Sequence, residues 1–191
     1  MKVIDNFLSP EEFAPIKEYM MGPEFPWYFL SSVDYDGENT NKFQFVHNFI
    51  MIETGRVSNS MGILSPVLNK LDMKHLLKLK ANCNPRGDGK NIGEHHVDNG
   101  VPTALTAVYY INTNNGGTEF QSGEFVESVE NRIVIFDSTM AHRGVSCTDE
   151  KVRVLANINY IPAMVKNTYL MRDRPIPEVA YTSYQPPPGA V

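Results

Sequence analysis

The chain has 191 residues, 42% of them hydrophobic and 20% charged, a balance that fits one globular domain and excludes a wholly disordered chain or a coiled coil. Its formal net charge of −5 leaves no broad basic surface for phosphate backbones, so no nucleic-acid partner is expected. Cys83 and Cys147 lack the paired spacing of a zinc or redox motif and read as free thiols of a reducing compartment. The opening MKVIDNFLSPEEF carries acids where a signal peptide needs an apolar stretch, and no run approaches the roughly 18 apolar residues of a membrane span. A soluble, cytoplasmic protein without a membrane partner is expected.

Ser9, Pro10 and Glu12 form a helix start, with Ser9 as cap, Pro10 in the first turn and Glu12 closing a capping box. The helix is expected over 10–21, with Phe13, Ile16, Met20 and Met21 as its core stripe. Pro23, Pro26 and Gly37 predict a long connection over 22–42. Trp27, Tyr28 and Tyr35 in it either line a substrate approach or cover the flank of the domain.

A strand over 43–52 and a helix over 63–71 come next. Strands then follow over 75–83, 104–111, 118–121, 124–129, 132–136 and 152–161, with Asn114, Asn115, Gly116 and Gly117 read as a turn. Helices followed by a run of strands predict an antiparallel sandwich or barrel with helices on one side. From about residue 164 the chain is proline-rich and is expected to be an extended tail of a single domain spanning 1–191. Its QPPPG run is pre-set toward polyproline II, which allows either docking into the chain's own groove or a frayed end.

The chemistry concentrates in two places. In EHHVD, His96 and Asp98 are two residues apart, and in extended backbone such residues share a face. A third ligand must come from elsewhere, and His142 in AHRG stands just after an apolar strand. Two histidines and a carboxylate leave coordination positions open, the pattern of non-haem iron(II) oxygenases, whereas structural zinc fills four positions and usually includes thiolates. His95 faces away from His96 in an extended segment, and His47 and His75 read as structural.

With IDNFLSPEEF, HVD at 96–98, GGTEF at 116–120 and RIVIFDSTMAHRGVSCTDEKVRVLANINY at 132–160, the sequence resembles the 2-oxoglutarate and iron(II)-dependent oxygenases, and within them the prolyl 4-hydroxylase-like group. The resemblance implies a mainly β fold with flanking helices, a double-stranded β-helix of the jelly-roll or cupin-like type. It implies an enzyme that uses iron(II), 2-oxoglutarate and dioxygen to hydroxylate a C–H bond, with His96, Asp98 and His142 as metal ligands. Arg153, 11 residues after His142, then corresponds to the basic residue that holds the distal carboxylate of 2-oxoglutarate. Strand alternation adds its own reason, because it groups Arg153 with Leu155, Asn157 and Asn159, opposite Val152, Val154, Ala156 and Ile158. An Arg153 turned inward needs an anion, and on a solvent face it is ordinary.

Alternation also sends one of Tyr109 and Tyr110 inward, where its hydroxyl either shares that carboxylate or makes an unrelated core hydrogen bond. By the resemblance, Asn82 lies in the strand where relatives place a polar or tyrosine contact to the 2-oxoglutarate cosubstrate, although the tyrosine common there is absent from LKANCNP. The substrate is expected to be a small molecule or a peptide, a prolyl residue among the options. A non-catalytic metal or small-ligand binding module on the same barrel is the alternative.

Overall fold

Ser9 opens the first helix as its sequence predicts: its side chain accepts from the Glu12 N–H at 3.3 Å, and the Glu12 carboxylate accepts from the Ser9 N–H at 3.0 Å. This helix, α1 (Pro10–Met21), buries Phe13, Ile16 and Met20 against the sheet, while Met21, expected in the same stripe, is exposed. The computed structural model describes residues 1–31, 43–51, 55–98 and 100–163. Tyr35 and the proline-rich tail from residue 164 lie outside the described residues.

The strands are β1 (Lys2–Ile4), β2 (Tyr28–Leu30), β3 (Gln44–Met51), β4 (Arg56–Val57), β5 (Met73–Pro85), β6 (Leu105–Tyr110), β7 (Asn114–Phe120), β8 (Phe125–Ser128), β9 (Ile133–Asp137), β10 (His142–Val145) and β11 (Val152–Pro162). A short 3-10 helix (Asn59–Leu64) leads into α2 (Ser65–Lys70). Where one helix over 63–71 was expected, Pro66 instead sits in the first turn of a shorter α-helix, a position where its missing N–H costs no hydrogen bond.

The fold is mainly β with flanking helices, as the sequence implies. An eight-stranded sheet runs β1-β9-β6-β11-β5-β3-β2 with β4 paired to β3, and a three-stranded sheet runs β10-β7-β8. All of the strand pairs are antiparallel. Two apolar clusters occupy the two faces of the large sheet. One joins Phe13, Ile16 and Met20 of α1 to Leu79, Ala81, Tyr109, Val154, Ala156 and Ile158. The other joins Val108, Tyr110, Val134, Phe136 and Leu155 of the large sheet to Phe120 and Val126 of the small one.

Asn131 ties the first cluster together from the left-handed region, at φ 58°. Its Oδ1 accepts from the Leu8 N–H and the Tyr109 hydroxyl, and its Nδ2 donates to the Leu8 carbonyl.

Asn114, Asn115, Gly116 and Gly117 are strand, not turn: β7 begins at Asn114. Their glycines answer close approach instead of chain reversal. A Cβ on Gly116 would lie 2.7 Å from the Val145 carbonyl oxygen and 2.9 Å from Arg153 Cδ; one on Gly117 would lie 2.3 Å from the Val126 carbonyl oxygen. The edge strand β2 also falls within the stretch expected as loop, because three residues pairing with one neighbour carry too little pattern to be read from sequence.

Candidate metal centre

His142 opens β10 and lies opposite His96 in an antiparallel bridge, each residue's N–H donating to the other's carbonyl at 2.9 Å. This pair of bonds fixes the two imidazoles side by side, with ring centroids 4.7 Å apart. Phe136 stands edge-on to His142 at 4.8 Å and helps to bury it. Each ring turns its Nδ1 to a backbone carbonyl, His142 to Met140 at 2.9 Å and His96 to Glu94 at 3.1 Å. The Nε2 atoms are thereby left for a ligand.

Asp98 completes the group: one ligating atom from each of His96, Asp98 and His142 can be chosen so that all lie within 4.8 Å of one another. Its carboxylate accepts from Thr106 Oγ1 at 2.9 Å, from Asn159 Nδ2 at 3.1 Å and from Asn157 Nδ2 at 3.3 Å. Burial pushes the Asp98 pKa up, but His142, Lys78 and the bonds from Thr106 and Asn159 outweigh it and hold the carboxyl below its usual value. Burial lowers the His142 pKa, which favours the neutral imidazole that a metal requires. The result is a charged carboxylate beside two imidazoles on one side of a cavity, with no thiolate in the group.

That cavity, about 310 Å³, extends from the triad to Arg153. Arg153 is 3% exposed, and no described carboxylate lies within ion-pairing distance. Its contacts are long, 3.5 Å to Asn84 Oδ1 and 3.4 Å to Thr118 Oγ1, and its Nε has no partner. Burial accordingly lowers its pKa. A buried guanidinium held this loosely has donors to spare for an anion.

Tyr110 supports the same corner. Its ring lies 5.6 Å from the guanidinium carbon, and its hydroxyl donates to Thr118 Oγ1 at 2.8 Å. Asn82 lines the cavity too, and its buried Oδ1 is unpartnered.

Three other residues singled out by sequence stand elsewhere. Tyr109 projects to the opposite face of the sheet, where its hydroxyl donates to Asn131 and its ring meets Phe7 and Phe13 edge-on. Of the two buried tyrosines, Tyr110 and not Tyr109 is the one that faces Arg153. Trp27 and Tyr28 do not line the cavity. Trp27 packs tilted against Phe25, with ring centroids 4.6 Å apart, and Tyr28 lies 61% exposed on β2 beside His47. Their flank is set by β2 pairing with β3 on the outer edge of the large sheet. His47 is structural, between the Pro26 carbonyl and Ser58 Oγ.

Five contributors escaped the sequence reading. Thr106, Asn157 and Asn159 hold Asp98, and their polar positions in strands resemble ordinary solvent-facing alternation. Lys78 and Lys80 line the cavity from β5, with Lys78 Nζ 3.9 Å from Asp98 Oδ1. The i, i+2 spacing of KLKAN was the available signal. Burial, with Lys78 alongside, pulls the Lys80 pKa down to about 8, which leaves it cationic at neutral pH.

No family model matches the sequence, and none of the curated proteins does. Many solved structures share the fold. A prolyl hydroxylase from Trichoplax adhaerens, in complex with a hypoxia inducible factor oxygen degradation domain peptide fragment, aligns over 84% of this chain and 83% of its own at TM-score 0.57 and 15% identity. A 2OG-Fe(II) oxygenase family oxidoreductase from Burkholderia pseudomallei aligns over 83% and 84% at TM-score 0.58 and 10% identity. The non-heme alpha ketoglutarate dependent epimerase SnoN from nogalamycin biosynthesis aligns over 86% and 81% at TM-score 0.56 and 12% identity. The architecture is thus the jelly-roll fold found in 2-oxoglutarate and iron(II) oxygenases.

Proposed function

We propose that this chain is an iron(II) and 2-oxoglutarate-dependent oxygenase that hydroxylates a C–H bond. One observation carries the reading. An open two-histidine, one-carboxylate group and a buried, acid-free arginine share one cavity, which is what a metal-chelated dicarboxylate needs at its two ends.

The residues fit the groups they would hold. His96 and His142 offer Nε2 atoms whose orientation is set by the carbonyls behind Nδ1, and Asp98 offers a carboxylate braced by Thr106, Asn157 and Asn159. Iron(II) with 2-oxoglutarate and dioxygen supplies the oxidising power for hydroxylation, with succinate and carbon dioxide as co-products. Arg153 would take the distal carboxylate through its guanidinium, and that contact would satisfy the Nε that now has no partner. Tyr110, kept protonated by burial, and Thr118 would form the wall of that pocket. Asn82, with its free Oδ1, would accept from a donor in the cavity and so help to orient a substrate.

A carboxylate at position 98 keeps the triad complete, which favours hydroxylation over chemistry that needs that position vacated for another ligand. The epimerase of the same fold shows that architecture alone does not select the outcome. A prolyl residue of a peptide is one substrate suggested by the likeness to the prolyl hydroxylase. Trp27 and Tyr28, aromatic rings that would suit a proline, stand off the cavity. The reading is tested by succinate release from 2-oxoglutarate with iron(II) in air, with iron content measured in parallel. Asp98→Ala is expected to lose both together, and wild-type turnover in that variant would remove the ligand assignment.

A further inference from the structure

Strand β5 presents a graded series to the cavity: Asn84, Asn82, Lys80 and Lys78 alternate with Cys83, Ala81 and Leu79 on the opposite face. Its register with β11 sets Asn84 beside Arg153, Asn82 beside Leu155, Lys80 beside Asn157 and Lys78 beside Asn159. Because Asn157 and Asn159 both reach Asp98, the lysines stand at the metal end. At about 3.3 Å per residue, Lys80 lies roughly 13 Å along the strand from Asn84, the neighbour of Arg153. A five-carbon dicarboxylate gripped by Arg153 and chelated at the triad has no second free carboxylate to offer these amines.

The charges of the cavity point the same way. Its described acids are Asp98 and Glu94, and its described cations besides the histidines are Lys78, Lys80 and Arg153. Asp98 has its own partners in Thr106, Asn157 and Asn159, with Lys78 at 3.9 Å. Glu94 is exposed, and Lys80 makes no ion pair with any described carboxylate. A divalent metal on Asp98 and a dianion on Arg153 would leave both lysines as excess positive charge, in a protein whose net charge is −5. Two amines held partly out of water on one wall gain from an anion placed between them. A cavity of about 310 Å³ that also admits the cosubstrate suits a small molecule.

We infer that Lys78 and Lys80 form a subsite for an anionic group, a carboxylate or a phosphate, on a small-molecule substrate. The inference rests on the oxygenase reading above, in which Arg153 is occupied by 2-oxoglutarate.

The test uses the full chain, held anaerobically with iron(II) and saturating 2-oxoglutarate and titrated calorimetrically with acetate, methyl phosphate and uncharged acetamide. Acetate or methyl phosphate is expected to bind and acetamide not, and the stronger of the two anions identifies the group. The double variant Lys78→Gln/Lys80→Gln is expected to weaken anion binding at least tenfold, and Lys78→Arg/Lys80→Arg to restore it. Absence of anion binding in the wild type, or equal binding by the glutamine variant, overturns the subsite. If the glutamine variant instead loses 2-oxoglutarate affinity while Arg153→Ala keeps it, the lysines anchor the cosubstrate and the subsite is again overturned. If no 2-oxoglutarate complex forms in any variant, the oxygenase reading itself fails and the inference falls with it.

Discussion

Tyr109 and Tyr110 are neighbours on β6, both fully buried, yet they belong to different parts of the molecule. Tyr109 enters the dry cluster beneath α1 and gives its hydroxyl to Asn131, while Tyr110 enters the space between the sheets beside Arg153 and Thr118. The same division runs through β5 and β11, where Leu79, Ala81, Cys83, Val154, Ala156 and Ile158 pack on one face. Lys78, Lys80, Asn82, Asn84, Arg153 and Asn157 line the cavity on the other. A face built for stability closes its hydrogen bonds internally. The cavity face leaves Asn82 Oδ1, Arg153 Nε and Asn157 Oδ1 without partners, a pattern that makes sense where ligands supply them.

The sharpest way to break this comparison is Arg153→Ala. Loss of a charge-assisted contact to a buried carboxylate should cost about 2 to 5 kcal/mol in 2-oxoglutarate binding, while iron binding stays near the wild-type value. Equilibrium titration of both ligands checks it, and unchanged 2-oxoglutarate affinity would place the anchor elsewhere. Asn159→Ala should have a smaller effect of the opposite kind. By releasing Asp98 it should weaken iron binding roughly 10- to 100-fold, the usual cost of losing an outer partner of a metal ligand.

Tyr109→Phe sharpens the contrast from the dry side. It removes the hydrogen bond to Asn131 and should lower stability by about 1 kcal/mol in denaturant unfolding, leaving 2-oxoglutarate affinity as it was. A loss of 2-oxoglutarate affinity in this variant would mean that the two faces are not separable.

Much of this was legible in the sequence because alternation is a strong signal in long strands. The grouping of Arg153 with Leu155, Asn157 and Asn159 follows from the period of β11, and the capping box at Ser9 marked α1. His96 and Asp98 could be paired from their spacing. Joining His142 to them rested on its place just after an apolar strand together with the family resemblance, since the hydrogen-bonded bridge that brings His96 and His142 together spans 46 positions. The same limit applies to Tyr109 and Tyr110, where alternation separates the two rings without saying which face holds the cavity.

Gly116 and Gly117 were read as a turn because Asn-Asn-Gly-Gly carries turn chemistry. Their real constraint, the approach of Val145, Val126 and Arg153, comes from residues distant in sequence. For Trp27 and Tyr28 residue type leaves a substrate approach and a flank cover both open, and the pairing of β2 with β3 at the sheet edge puts them on the flank, off the cavity.

The central claim is that one cavity holds iron(II) at His96, Asp98 and His142 and 2-oxoglutarate between that metal and Arg153. The most direct measurement is the anaerobic visible spectrum of the iron(II) protein as 2-oxoglutarate is added. The account predicts a broad charge-transfer band that saturates with 2-oxoglutarate and is absent in His142→Ala. A protein that binds iron(II) yet shows no such band at saturating 2-oxoglutarate, or a band that persists undiminished in His142→Ala, would contradict it.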